Sequence, residues 1–194
     1  MIPLCLLAAI AAVVGLGFLY TYTAIAEEVT AEDRRSIVAA AALAEMVEDF
    51  VPDPNNETVT KQRYFDRSYD VEYEYDDPHD DAAPYLYCCT TVERKPGDAM
   101  TTYVTAWHGT QLGIAFGGDA EIELIERNDL FRWGNQSRFA IIQADGEPCG
   151  NLFVARKGTV VFYLIVSGIY FDDGGVFSEL VSSALSNAQR LRRR

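Results

Sequence analysis

An uncharged, apolar stretch at residues 2–26 constrains the fold more than any other feature of the sequence. It reads IPLCLLAAIAAVVGLGFLYTYTAIA, and about 20 such residues suffice for a helix to cross the hydrocarbon core of a bilayer. We therefore predict a transmembrane anchor at residues 1–26, with lipid contact through residues 2–26. The alternative is a cleaved secretory signal, because Ala24-Ile25-Ala26 resembles a signal peptidase site.

The charge distribution bears on where the remainder of the chain lies. The 194 residues include 29 acidic and 16 basic side chains, for a net charge of -13. All of these charges follow residue 26, and an acidic balance argues against a nucleic-acid partner, because domains that bind nucleic acids are basic. Nothing in the charges beside the anchor favours a cytoplasmic domain. We expect a single-pass protein of the plasma (inner) membrane with its domain on the extracytoplasmic, periplasmic side.

Helical spacing continues beyond the predicted anchor. The segment from Thr30 to Asp33 resembles a helix start, and apolar residues recur at i, i+3 and i+4 as far as Val51. Pro52 and Pro54 then end the pattern. We predict a helical stalk at residues 27–51, and we favour packing of its Ala-rich stripe on the protein's own sheet over packing on a partner helix.

The hydrophobic period changes to that of strands after an Asn/Pro-rich break at residues 52–57. The predicted strands, rich in Val, Ile, Thr, Tyr and Phe, are 68–75, 85–94, 101–107, 111–116, 137–144, 151–156 and 159–171. Several connections are too short for crossover helices, so we expect antiparallel neighbours.

Two further helices are predicted in this region. Residues 119–130 place three apolar side chains on one helical face, and residues 176–190 have the spacing of an amphipathic closing helix. The predicted fold class is therefore α+β: a transmembrane helix with a helical extension, then a mainly antiparallel sheet domain at residues 52–194, closed by the C-terminal helix.

Two resemblances accompany this outline. The strand FYLIVSGIYF with its acidic turn and following helix resembles the end of PsbP-like domains, and it carries no motif that implies a function. A long half-apolar helix that carries a β domain also resembles type IV pilins, although Cys5 stands where pilins typically carry Glu. A pilin-like filament subunit is accordingly one alternative function.

Three cysteines of the domain are candidates for a disulfide in an oxidising compartment. Neighbouring residues of a strand point to opposite faces, so only one of Cys88 and Cys89 can face Cys149. We predict a bridge between Cys149 and either Cys88 or Cys89. A zinc site is not expected, because the sequence has no Cys-x-x-Cys motif.

An acidic loop offers weak candidates for a calcium site. Its carboxylates are Asp76, Asp77, Asp80 and Asp81. Oxygen ligands suit Ca²⁺, but the loop lacks the alternating spacing and central Gly of an EF-hand, and acidic loops are usually solvated. A Ca²⁺-dependent binding module is a second alternative.

Basic residues are concentrated in the C-terminal tail. They are Arg190, Arg192, Arg193 and Arg194. Cations suit the carboxyl end of a helix, and on the extracytoplasmic side they favour contact with a partner protein over contact with lipid.

Catalytic signals are few. His79 lies in the acidic loop, His108 follows Trp107, and neither is near a Gly-x-Ser-x-Gly motif. We expect no catalytic residue and no cofactor. The sequence favours a non-catalytic, membrane-anchored accessory subunit that docks on or stabilises a larger integral membrane protein complex of respiratory, photosynthetic or secretion type. A periplasmic enzyme is the remaining alternative.

Overall fold

The computed structural model describes residues 24–80, 83–116 and 121–191. Nearly all of the predicted anchor lies outside the described residues, as do Asp81 and Arg192–Arg194. Within the described ranges, no helix combines the length and the apolar character that are needed to cross a membrane.

An eight-stranded sheet, with every neighbouring pair antiparallel, forms the centre of the domain. Its strands are β1 (Ile25–Ala26), β2 (Glu57–Arg63), β3 (Tyr69–Tyr75), β4 (Tyr85–Val92), β5 (Ile122–Glu126), β6 (Gln136–Ala144), β7 (Glu147–Lys157) and β8 (Val160–Ser167). Their spatial order is β1-β2-β3-β4-β8-β7-β6-β5. This confirms the α+β class and the antiparallel sheet that the short connections predicted.

Helices lie on both faces of this sheet. They are α1 (Ala31–Arg35), α2 (Ala40–Ala44), α3 (Pro96–Phe116) and α4 (Gly174–Leu191), with a short 3₁₀ turn at Pro54–Asn56. The chain's larger core lies between one face of the sheet and the layer that α4, α2 and the residues around α2 form.

Helix α4 is the closing amphipathic helix that the sequence predicts. Its buried stripe centres on Phe177, whose ring lies 4.7 Å from that of Phe139 and 5.5 Å from that of Phe153, both in edge-on geometry. Aromatic pairs of this kind add to the stabilisation from burial itself. The packing of the C-terminal helix on the sheet is therefore confirmed.

The predicted stalk forms two five-residue helices in place of one continuous helix. Thr30 begins α1 with a capping box to Asp33, as the sequence indicates, but Ser36 ends that helix. Val38 and Leu43 then enter the main core. The segment packs on the protein's own sheet as we favoured, and burial of its apolar side chains there takes precedence over a straight helix.

Helix α3 corrects two of the predicted strands. Residues 101–107 and 111–116, which we predicted as strands around a turn at His108-Gly109, belong to this single helix. Thr, Val and Tyr gave the segment strand-like composition. Ala99, Tyr103 and Trp107 nevertheless recur at intervals of four and form its buried stripe, so tertiary packing overrides composition.

Three strands were also missed. The predicted helix at residues 119–130 is wrong, because Ile122–Glu126 forms β5 at the edge of the sheet. Residues 57–63, which follow the Asn/Pro-rich break and were assigned no strand, form β2 and pair along their whole length with β3. The end of the predicted anchor is likewise extended, since Ile25 and Ala26 pair with Arg63 and Gln62 of β2.

Candidate functional site

Helix α3 covers only half of the second face of the sheet. Its buried residues contact apolar side chains of β6, β7 and β8. The outward residues of β2, β3 and β4 lie beyond the helix, where α3 and β4 are separated by a cleft. Half of one sheet face is therefore open.

We call the open half the acidic face and define it by the outward residues of strands β3 and β4. They are Asp70, Glu72 and Glu74 on β3, and Tyr85, Tyr87, Cys89 and Thr91 on β4. The inward residues of the same strands, including Val71, Tyr73 and Tyr75, are buried in the main core. The alternation along β3 therefore separates apolar from acidic side chains between the two faces.

Tyrosine hydroxyls hold the carboxylates of the acidic face in place. Tyr87 donates a hydrogen bond to Glu72 at 3.2 Å, and Tyr85 donates one to Glu74 at 3.1 Å. Tyr64, in the turn after β2, donates to Asp70 at 2.6 Å. Each of the three β3 carboxylates thus has a tyrosine partner, and the face presents ordered negative charge beside aromatic rings.

The cleft between α3 and β4 adjoins this face and has a volume of about 520 Å³. Its floor is formed by Tyr87, Cys89 and Tyr163, whose rings and thiol are partly exposed. A hydrogen bond of 2.8 Å between the Thr110 and Tyr163 hydroxyls ties the helix to the sheet at one end. The cleft is mainly apolar, in contrast to the acidic face.

Carboxylates surround the other end of the cleft. Asp66, Asp70, Glu93 and Asp98 line a depression of about 400 Å³ between β3, β4 and the start of α3. Burial raises the pKa of Asp70, although the hydrogen bond from Tyr64 opposes the rise. Burial also raises the pKa of Glu93, against a hydrogen bond from Thr102. Keeping Asp70 and Glu93 ionised therefore carries an electrostatic cost.

The predicted disulfide is not formed. The three cysteines of the described ranges, Cys88, Cys89 and Cys149, are free thiols. Cys88 points into the main core and Cys89 to the acidic face, so they do lie on opposite faces as expected.

The strand register explains why no bridge forms. Cys89 pairs with Tyr163, whereas the Cys149 carbonyl accepts a hydrogen bond from Gly168, on the far side of Ser167. Five residues along β8 correspond to roughly 16 Å, and a disulfide requires Cα atoms within about 7 Å. Burial raises the pKa of the Cys88 thiol to about 12, which suits a core residue.

The acidic loop does not assemble a metal site from the residues described. Asp77 accepts a hydrogen bond from the backbone of His79 at 3.0 Å, which organises the loop as a turn. Across the described ranges, no three His, Cys, Asp or Glu side chains are arranged to hold a metal ion. Of the four loop candidates, Asp76, Asp77 and Asp80 are described.

The remaining predicted residues are dispersed. Arg190 lies in the last turn of α4, where its guanidinium donates to Asn187 at 3.3 Å. His108 is exposed on α3, where its Nδ1 lies 2.9 Å from Oε1 of Gln111. The acidic face was missed as a unit, although the alternation of acids with apolar residues in YDVEYEY at residues 69–75 is a visible signal for it.

Comparison with known proteins adds no assignment to this geometry: no protein-family model, no curated protein and no solved structure matches the chain.

Proposed function

We propose that the chain is a non-catalytic, single-pass accessory subunit that docks, through its acidic face, on a basic surface of a larger membrane protein complex. In this proposal residues 2–26 form the anchor and the domain lies on the extracytoplasmic side of the plasma membrane. The observation that carries the proposal is the open half of the sheet. Its outward strand positions combine three carboxylates with two tyrosines and, within the described strands, include no Lys or Arg.

Charge complementarity selects the partner. Ordered carboxylates of one sign steer and orient a surface of the opposite sign. Tyrosines favour a protein partner, because they are enriched in protein interfaces, where the ring is buried and the hydroxyl remains hydrogen-bonded. A basic protein surface therefore fits the acidic face, with the adjoining apolar cleft available to an apolar side chain of the partner.

A charge-reversal experiment tests the docking surface. The double variant Glu72→Lys/Glu74→Lys is compared with Glu45→Lys/Glu48→Lys, whose exposed acids follow α2 on the opposite side of the sheet. Each full-length protein is expressed at native level and recovered from membranes in mild detergent, and the proteins that accompany it are identified by mass spectrometry. We expect the amount of multisubunit partner recovered with the first variant to fall at least about tenfold, since like charges in an interface cost several kcal/mol.

Two outcomes would contradict the proposal. One is a monodisperse monomer of the wild type at native expression, and the other is equal recovery of the partner by both double variants. Orientation is tested separately by adding protease to spheroplasts, where protection of the domain would reject the extracytoplasmic placement. Circular dichroism of each variant verifies that the fold is retained.

A further inference from the structure

A second groove lies on the other side of α3, away from the acidic face. It has a volume of about 680 Å³ and is bounded by α3, by β5 and β6, and by the loop that connects those strands. This volume is within the range of small-molecule sites. Tyr103 and Trp107 line its wall, and Met100 and Val104 add exposed apolar surface on the helix.

Arg138 gives the groove a cation. It projects from β6 beneath α3, and its guanidinium lies 5.1 Å from the centre of the Trp107 ring. Lys61, Arg63 and Arg127 each pair with a carboxylate, whereas in the described ranges none lies within salt-bridge distance of Arg138. Arg138 is therefore a half-buried cation of the groove without a carboxylate beside it in the described ranges.

Trp107 adds an unsatisfied donor to the same wall. The side chain is 1% exposed, and its Nε1–H has no acceptor among the described residues. A buried donor without an acceptor lowers the stability of the folded state. Both polar groups of the stacked pair therefore favour an acceptor or an anion beside them.

The acidic residue of the groove does not meet this need. Glu126 lies on β5 and its carboxylate accepts a hydrogen bond from the Asn128 side chain at 2.9 Å. Burial raises the pKa of the Tyr103 hydroxyl, and the neighbouring Arg138 charge opposes that rise. Arg138 is therefore close enough to Tyr103 to act on its hydroxyl group.

We propose that this groove binds a small organic carboxylate with an apolar body. Arg138 receives the carboxylate as the charge partner, and the exposed side chains of Met100 and Val104 contact the apolar body. A planar guanidinium suits a carboxylate because it donates two parallel hydrogen bonds. The proposal is independent of docking by the acidic face, which lies on the far side of α3.

Nuclear magnetic resonance of the two indole N–H groups tests the site directly, since the chain has two tryptophans. The detergent-solubilised, ¹⁵N-labelled protein is titrated with benzoate, and in parallel with benzamide, which has the same shape without the charge. We expect benzoate to shift the Trp107 Nε1–H signal in a saturable manner, and benzamide to bind at least about tenfold more weakly, as expected when a charge-assisted pair of 1.4 kcal/mol or more is lost.

Substitutions at Arg138 test whether this residue supplies the charge that binds the anion. Arg138→Gln should weaken benzoate binding at least about tenfold, whereas Arg138→Lys keeps the charge and should retain more of the affinity than Arg138→Gln. Arg127→Gln is the matched control, because Arg127 already pairs with Asp129 at 3.0 Å, and it should leave binding unchanged. Equal binding of benzoate and benzamide would overturn the proposal, and so would unchanged benzoate binding by Arg138→Gln. The absence of any shift of the Trp107 signal at about 10 mM benzoate would overturn it as well.

Discussion

One face of the sheet has two halves that differ in residue type and in covering. Beneath α3, strands β6, β7 and β8 contribute buried apolar residues, with Ile142, Leu152 and Val154 among them. In the open half the equivalent positions of β3 are Asp70, Glu72 and Glu74. A helix that covered Glu72 and Glu74 would remove their carboxylates from water without a counter-charge, at large cost. The position of α3 therefore follows from the chemistry of alternate strand residues.

The largest expected effect comes from removing the side chain that anchors α3 to the covered half. Trp107→Ala deletes a side chain that is 1% exposed and should lower the free energy of unfolding by about 3–5 kcal/mol. Val104→Ala, on the same helix at 38% exposure, is the control and should cost less than about 1 kcal/mol. Urea unfolding monitored by circular dichroism measures both, and similar values for the two would mean that α3 does not depend on its contact with the sheet.

A smaller effect distinguishes the two faces of the sheet at strands β3 and β4. Tyr73 faces the main core, where its hydroxyl accepts a hydrogen bond from the Ala40 backbone at 2.7 Å. Tyr73→Phe leaves that buried N–H without an acceptor and should cost about 1–3 kcal/mol. Tyr85→Phe removes an exposed hydrogen bond to Glu74 and should change stability by less than about 0.5 kcal/mol. Thermal unfolding of the two variants compares them, and equal losses would contradict the assignment of faces.

The smallest effect is a gain in stability. Because burial raises the pKa of Asp70, ionisation of this carboxyl is less favourable in the folded state than in the unfolded state. The penalty is present at pH 7, decreases as the pH falls through the raised pKa, and is absent below the unfolded value of about 3.9. Asp70→Asn should therefore raise the melting temperature by a few degrees at pH 7, and the gain should vanish below about pH 4.

A control separates this effect from a general loss of negative charge. Glu74→Gln removes an exposed carboxylate from the same strand and should leave the melting temperature nearly unchanged. If both variants gain stability equally at pH 7, repulsion across the whole acidic face, and not burial of Asp70, is the cause.

The parts of the fold that could be predicted are those where local pattern and tertiary packing agree. Strands β3, β4, β6, β7 and β8 and helix α4 have apolar residues at the spacing of the structure they form. Helix α3 could not be predicted in this way, because its Thr, Val and Tyr content favours a strand and its buried stripe is recognisable only when the apolar floor of β6 to β8 is known. Strand β2 lacks a core pattern because its residues are only partly buried.

The candidate site was less predictable than the fold. The acids and tyrosines of β3 and β4 are evident in the sequence, but their cross-strand pairing, Glu72 with Cys89 and Glu74 with Tyr87, depends on a register that sequence does not specify. The disulfide prediction failed for the same reason. The prediction used only the face of the sheet on which each thiol lies. The separation of Cys89 and Cys149 along the strands is what prevents the bridge.

The edge strand β5 has a consequence for the behaviour of the protein in solution. It lies at the end of the sheet, with Ile122 and Ile125 partly exposed beside Glu123 and Glu126. An open strand edge can pair with the same edge of another molecule, and like charges oppose such pairing. The net charge of the chain vanishes near pH 4.5. Solubility should therefore be lowest around that pH, with precipitation through sheet extension at β5.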